Sequence, residues 1–135
     1  MKEEKTEDAS CEVVPDAVEV FQSTQKDEEM GHCIVTILCT LKSEEARKKY
    51  LALTRSIAIP KKASHPSCIR VTQTIPQNTE EIQVLWIQEW LKLSDFKAVM
   101  KDLFKEGSPI NEVNELLVCN PVPTFTRLVK NEDVG

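Results

Sequence analysis

Residues 82–90 read IQVLWIQEW, which puts Trp86, Gln88 and Trp90 at alternate positions of a strand and so on one face of it. Two large aromatics four residues apart serve either as core packing or as pocket walls. The amide between them, on an otherwise apolar face, must find a partner, which is either a structural hydrogen bond or a ligand. Glu89 points the other way and would take the place of Gln88 only if the strand slipped by one residue. Tyr50 belongs to the inner face of a helix, with its hydroxyl reaching the edge of the core. His32 begins a strand and His65 sits in a proline-flanked loop, where both read as solvated or capping histidines, His65 being the one placed to turn toward a pocket. Two distant histidines without Glu or Cys at ligand spacing argue against a metal site. Nucleophile–base pairs, phosphate loops and dinucleotide fingerprints are missing from the sequence.

These side chains need a scaffold, and the chain spells one out. Residues 32–41 (HCIVTILCTL) are β-branched and apolar on both faces, as in a buried strand. Ser43 offers an N-cap and Glu44 and Glu45 occupy the positive first turn of a helix. Ala46, Tyr50, Leu53 and Ile57 form its apolar stripe, with Glu44/Lys48 and Glu45/Lys49 pairs outside, and Pro60 is expected to end it. A loop is expected over 59–67. Residues 68–75 alternate as a half-exposed strand with Ile69, Val71 and Ile75 on one side, and 82–90 return as the second arm of a hairpin. Ser94 and Asp95 open a second helix carrying Phe96, Val99, Met100, Leu103 and Phe104 on one stripe, which Gly107 and Pro109 stop. Ile110, Val113, Leu116 and Leu117 suggest one or two further helical turns. A last strand lies within 118–129, starting late because Pro121 and Pro123 lack donors.

The order β-α-β-β-α-β is the ferredoxin-like α+β plan. Both helices cover one face of the sheet, yet strands one and three are apolar on both faces, so the second face needs a cover. A two-fold dimer is the economical cover, with another protein or the apolar cluster at residues 13–21 in reserve.

Composition narrows the partners. Residues 1–29 carry ten acids against three lysines, a net −7 out of −5 for the 135-residue chain, which leaves the body near +2. Such a segment reads as a disordered acidic tail, and the balance makes nucleic acid a poor partner. The domain is expected over 30–130, followed by a C-terminal tail at 131–135. Five cysteines, odd in number and without Cys-x-x-Cys spacing, fit a reducing compartment. With no leader-like or membrane-length apolar stretch, the cytoplasm is the expected location, the nucleus being second.

The run IQVLWIQEWLKLSDFKAVM, after HPSCIRVTQTI and followed by Phe104, resembles the central signature of the antibiotic biosynthesis monooxygenase family. In that family the strand ends Glu-x-Trp, the next helix carries Leu-x-x-His, and a Gly-Cys-like corner precedes strand two. The resemblance covers residues 30–129. By it Trp90 matches the family tryptophan and Phe96 the apolar helix position, whereas Gln88 stands for the usual glutamate, Val99 for the common histidine and Ser67 for the corner glycine. It implies a dimeric α/β barrel, a homodimer, and cofactor-independent oxidation of a small aromatic, quinol or enolic metabolite in an apolar pocket between sheet and helices. Under it Gln88, Trp90 and His65 are the candidate catalytic residues, with Tyr50, Trp86, Phe96 and Met100 lining the substrate. Haem degradation is disfavoured because Val99 cannot ligate iron. The altered positions leave a second outcome, a non-catalytic binding or protein-interaction module of the same fold.

Overall fold

The computed structural model describes residues 30–135; the acidic segment 1–29, with its apolar cluster, lies outside the described residues. Four strands form one antiparallel sheet: β1 (Cys33–Thr40), β2 (Cys68–Thr74), β3 (Gln83–Trp90) and β4 (Thr124–Arg127), in the order β2-β3-β1-β4. This is the ferredoxin-like arrangement. Its centre is β1, paired along its whole length with β3 (Cys33 opposite Trp90, Thr40 opposite Gln83) and over its first half with β4.

One face is covered. Cys33, Val35, Ile37 and Cys39 of β1 and Val84, Trp86, Gln88 and Trp90 of β3 are all buried there. The helix α3 (Leu93–Leu103) contributes Phe96, Val99, Met100 and Leu103 of the stripe read from the sequence, and adds Leu93 at its start, while Phe104 is only half-buried. On the opposite face Ile34, Leu85 and Ile87 are only half-buried and Leu38 is 48% exposed.

The first helical stretch departs from expectation. It runs as α1 (Glu44–Leu53), a π-helical turn over Thr54–Ala58, and α2 (Ile59–Ala63). Ser43 caps it as read, its hydroxyl accepting from Ala46 N at 3.0 Å, but Glu44 pairs with Arg47. Pro60 does not stop it. In the wider turn Ile59 N–H reaches back five residues to Thr54 O, and Pro60 falls at the start of α2, where a missing donor costs least. The buried stripe therefore steps by four, through Ala46, Tyr50, Thr54, Ala58 and Lys62, while Leu53 and Ile57 are only half-buried. The loop expected over 59–67 is thus helical for its first half.

Smaller differences have local causes. A bulge between Cys68 and Arg70 breaks the alternation of β2, leaving Ile69 47% exposed while Val71 turns toward the helices. Gly107, at φ +86, ends the α3 region, and Pro109–Glu115 make a 3₁₀ segment. After Pro121 and Pro123, β4 is only four residues long, as the missing donors require. Residues 131–134, expected as tail, form a short helix, α4 (Asn131–Val134), tied down by Arg127 to both carboxylate oxygens of Asp133 at 2.6 and 2.8 Å.

Candidate functional site

Between the covered sheet face, α1–α2, α3 and the 109–123 stretch lies an apolar cavity of about 60 Å³. Ile37, Met100, Leu103, Ile110, Val113 and Leu117 are among its apolar lining, and Cys39, Tyr50, Lys62 and Trp86 supply its chemistry. The exposed Asn114 and Asn120 mark where it meets solvent. A water occupies roughly 30 Å³, so the cavity holds a group of a few heavy atoms rather than a drug-sized molecule of 300 Å³ or more.

A chain of buried polar contacts runs along the wall. Trp86 Nε1 donates to Tyr50 Oη at 2.7 Å, and Tyr50 Oη is hydrogen-bonded to Cys39 Sγ at 3.3 Å, where either group can be the donor. Thr54 continues the line, its hydroxyl donating to Tyr50 O at 2.9 Å and accepting from Gln73 Nε2 at 2.8 Å. Lys62 closes it, with Nζ 4.1 Å from the Trp86 ring centroid and 5.8 Å from that of Phe96. Among the described residues no carboxylate pairs with this ammonium.

Electrostatics follow from burial. Desolvation pushes Lys62 down to about 7, against a smaller opposing pull from Cys39 and Cys68. The same desolvation pushes the Cys39 thiol up to about 11 and raises Tyr50 well above its ordinary value. At neutral pH the wall therefore presents a protonated phenol, a protonated thiol and an amine divided between its two forms.

Of the residues singled out from the sequence, Tyr50, Trp86 and Met100 meet at this cavity. The others form a neighbouring packed cluster. Trp90 donates from Nε1 to Gln88 Oε1 at 3.1 Å and lies against Phe96 and His65 at 5.7 and 5.8 Å between ring centroids. Gln88 is fully buried, and its Nε2 has no partner among the described residues. His65 Nδ1 accepts from Ser67 N at 3.0 Å, and its ring borders an open groove with Lys61, Val99 and Asp102. Ser67 takes Leu91 N on its carbonyl and Lys92 N on its hydroxyl, joining the start of β2 to the end of β3. Glu89 faces away from the helices, where it bonds His32 at 2.7 Å and lies 3.5 Å from Arg70.

Lys62 is the residue that sequence reasoning missed. Its signal was the step of four from Tyr50 through Thr54 and Ala58, hidden because a 3.6-residue period and Pro60 both argue for a stop.

Solved structures share this architecture. A dimeric ferredoxin-like protein from an uncultured marine organism superposes with a TM-score of 0.59 at 12% identity, over 80% of this chain and 96% of its own. A structure described as an antibiotic biosynthesis monooxygenase gives 0.55 at 17%, over 73% and 99%. SnoaB, a cofactor-independent oxygenase from Streptomyces nogalater, gives 0.57 at 14%, over 75% and 96%. The fold is that of the antibiotic biosynthesis monooxygenases. No family model matches the sequence and no curated protein does either. At such identities the likeness to antibiotic biosynthesis monooxygenases concerns the backbone. Among the described residues no helix is long and apolar enough to cross a membrane, and no group of His, Cys, Asp and Glu could hold a metal.

Proposed function

We propose that this chain is a monooxygenase-like protein that oxidises a small enolic, phenolic or quinol-type metabolite with O2 and without a cofactor. The observation that supports this reading is a buried amine, Lys62, on the wall of an apolar cavity. A base whose pKa lies near the working pH removes a proton most efficiently, and burial holds Lys62 near 7. The neutral amine takes a proton from the substrate, and the ammonium so formed rests against Trp86 while it pairs with the new anion. The apolar walls keep water from the anion. For an activated methylene, the carbanion passes one electron to O2, the two radicals join as a hydroperoxide, and loss of water leaves a carbonyl. The balance is one CH2 and one O2 to one C=O and one H2O, with Lys62 returning the proton.

Only the reacting edge of such a substrate fits the cavity, and the remainder lies at the mouth near Asn114 and Asn120. Tyr50, Trp86 and Met100 line the substrate. Gln88, Trp90, Phe96 and His65 hold β3, α3 and the β2 corner in place behind it. The same reading takes the protein to be a cytoplasmic homodimer joined through the open sheet face, where Leu38 is exposed.

A non-catalytic binding module of the same fold is the second reading, favoured by the small cavity volume. Oxygen uptake with a panel of quinols and anthrone-type methylene compounds separates the two. The oxygenase reading expects uptake above background that falls at least tenfold in Lys62→Met, a loss of about 1.4 kcal/mol or more of transition-state stabilisation. Uptake at background across the panel sinks it and leaves the binding module.

A further inference from the structure

We propose that Lys62 is a carbonyl-capture site, where its amine condenses with a small aliphatic aldehyde or ketone to form an imine inside the cavity. The inference does not rest on reaction with oxygen and stands whichever reading of the function holds.

Three observations carry it. The first is placement: the π-turn at Thr54–Ala58 sets Lys62, 2% exposed, on the cavity wall with Trp86 and Tyr50. A surface lysine on this segment, such as Lys61, instead pairs with Asp102. The second is the absence of a carboxylate partner among the described residues; the ring of Trp86 is what faces Nζ. A buried lysine kept for structure alone is ordinarily paired, because an unpaired ammonium in apolar surroundings is costly. The third is size. About 60 Å³ encloses a compound of roughly two to four heavy atoms whole, whereas an aromatic aldehyde enters only by its carbonyl edge, with its ring left at the mouth, and reacts more slowly.

The chemistry balances without a further reagent. The Lys62 nitrogen lone pair adds to the carbonyl carbon, giving a carbinolamine. That intermediate loses its oxygen as water, taking the two nitrogen protons, and leaves a neutral C=N bond. Neutral imines suit an apolar cavity better than the ammonium they replace. Desolvated lysines in apolar pockets are the ones that form such bonds. Burial, which holds Lys62 near 7, keeps a large share of the amine free at neutral pH, while Cys39, pushed up to about 11, stays a protonated thiol and does not compete.

The test uses the full chain at pH 7 with propanal or acetone and sodium cyanoborohydride, which reduces an imine to a stable secondary amine. Peptide mapping by mass spectrometry then locates the adduct, and the chain's own α-amino group serves as internal reference. An ordinary lysine is neutral in roughly one part in three thousand at this pH, so Lys62 should label more than about tenfold faster than any other lysine. Labelling confined to exposed lysines, or no labelling, overturns the proposal. Benzaldehyde reaching Lys62 as fast as propanal overturns the size argument. Lys62→Arg, which keeps charge and bulk but forms no imine, should lose the adduct with its circular dichroism spectrum unchanged. Should that variant misfold, the wild-type map decides alone.

Discussion

Lys62 Nζ stands 4.1 Å from the centroid of the Trp86 ring, an ammonium from the helical layer resting on an indole from the sheet. The contact recovers part of what burial costs, yet the folded state still prefers the neutral amine, at about 7 against 10.5 when exposed. Between these values the unfolded chain binds more protons than the folded one, so stability rises with pH. From pH 7 to 9 the gain is on the order of 2 kcal/mol, and it should vanish in Lys62→Met. Above pH 9 the sign reverses for the thiols. Cys33 and Cys39, at about 11 when folded, stay protonated while unfolded thiols ionise, and stability falls. Denaturant midpoints at half-unit pH steps should therefore peak near pH 9 and lose their lower limb in the variant.

Tyr50→Phe removes the acceptor of Trp86 Nε1 and the partner of Cys39 Sγ. A buried indole N–H left without a partner costs about 1–3 kcal/mol. Urea unfolding should show that loss. Adding Trp86→Phe to the variant should cost less than it does in the wild type, since the orphaned donor leaves with the ring.

Gln88→Leu behaves differently. It deprives Trp90 Nε1 of its acceptor, but it also removes Gln88 Nε2, which has no partner among the described residues. One unsatisfied group replaces another, so the net cost should stay under about 1 kcal/mol. A loss as large as that of Tyr50→Phe would mean that the amide holds something more than Trp90.

The open sheet face supplies a third measurement. Leu38 is 48% exposed amid half-buried Ile34, Leu85 and Ile87. Sedimentation at micromolar concentration should give a dimer for the wild type and a monomer for Leu38→Glu, with an unchanged circular dichroism spectrum. A monomeric wild type would remove this face as the self-association surface.

Strands and the second helix were legible because their signals are local. The β-branched, two-sided apolar runs of β1 and β3 and the stripe from Phe96 to Leu103 are each carried by neighbouring residues. The strand order then followed from the element order, and Pro121 and Pro123 foretold the short β4. The site was legible in half. Tyr50, Trp86 and Met100 could be picked because large residues on inward faces meet wherever the layers close. Lys62 could not, because its burial depends on the hydrogen-bond spacing of Thr54–Ala58, which no residue type in TRSIA announces. Nor could Ile69 be placed, since a bulge is a register event between two strands.

The stretch from Ala46 to Lys62 shows that the character of the cavity rests on a count as much as on a side chain. Seventeen residues deliver an amine to the inside only because one turn is wound wide. Wind that turn with regular four-residue hydrogen bonds and the same letters in the same order would carry Lys62 about 100° around the rod, its angular step per residue, toward solvent. A relative with an identical lysine and a regular helix would then own a greasy void where this protein has a reactive nitrogen.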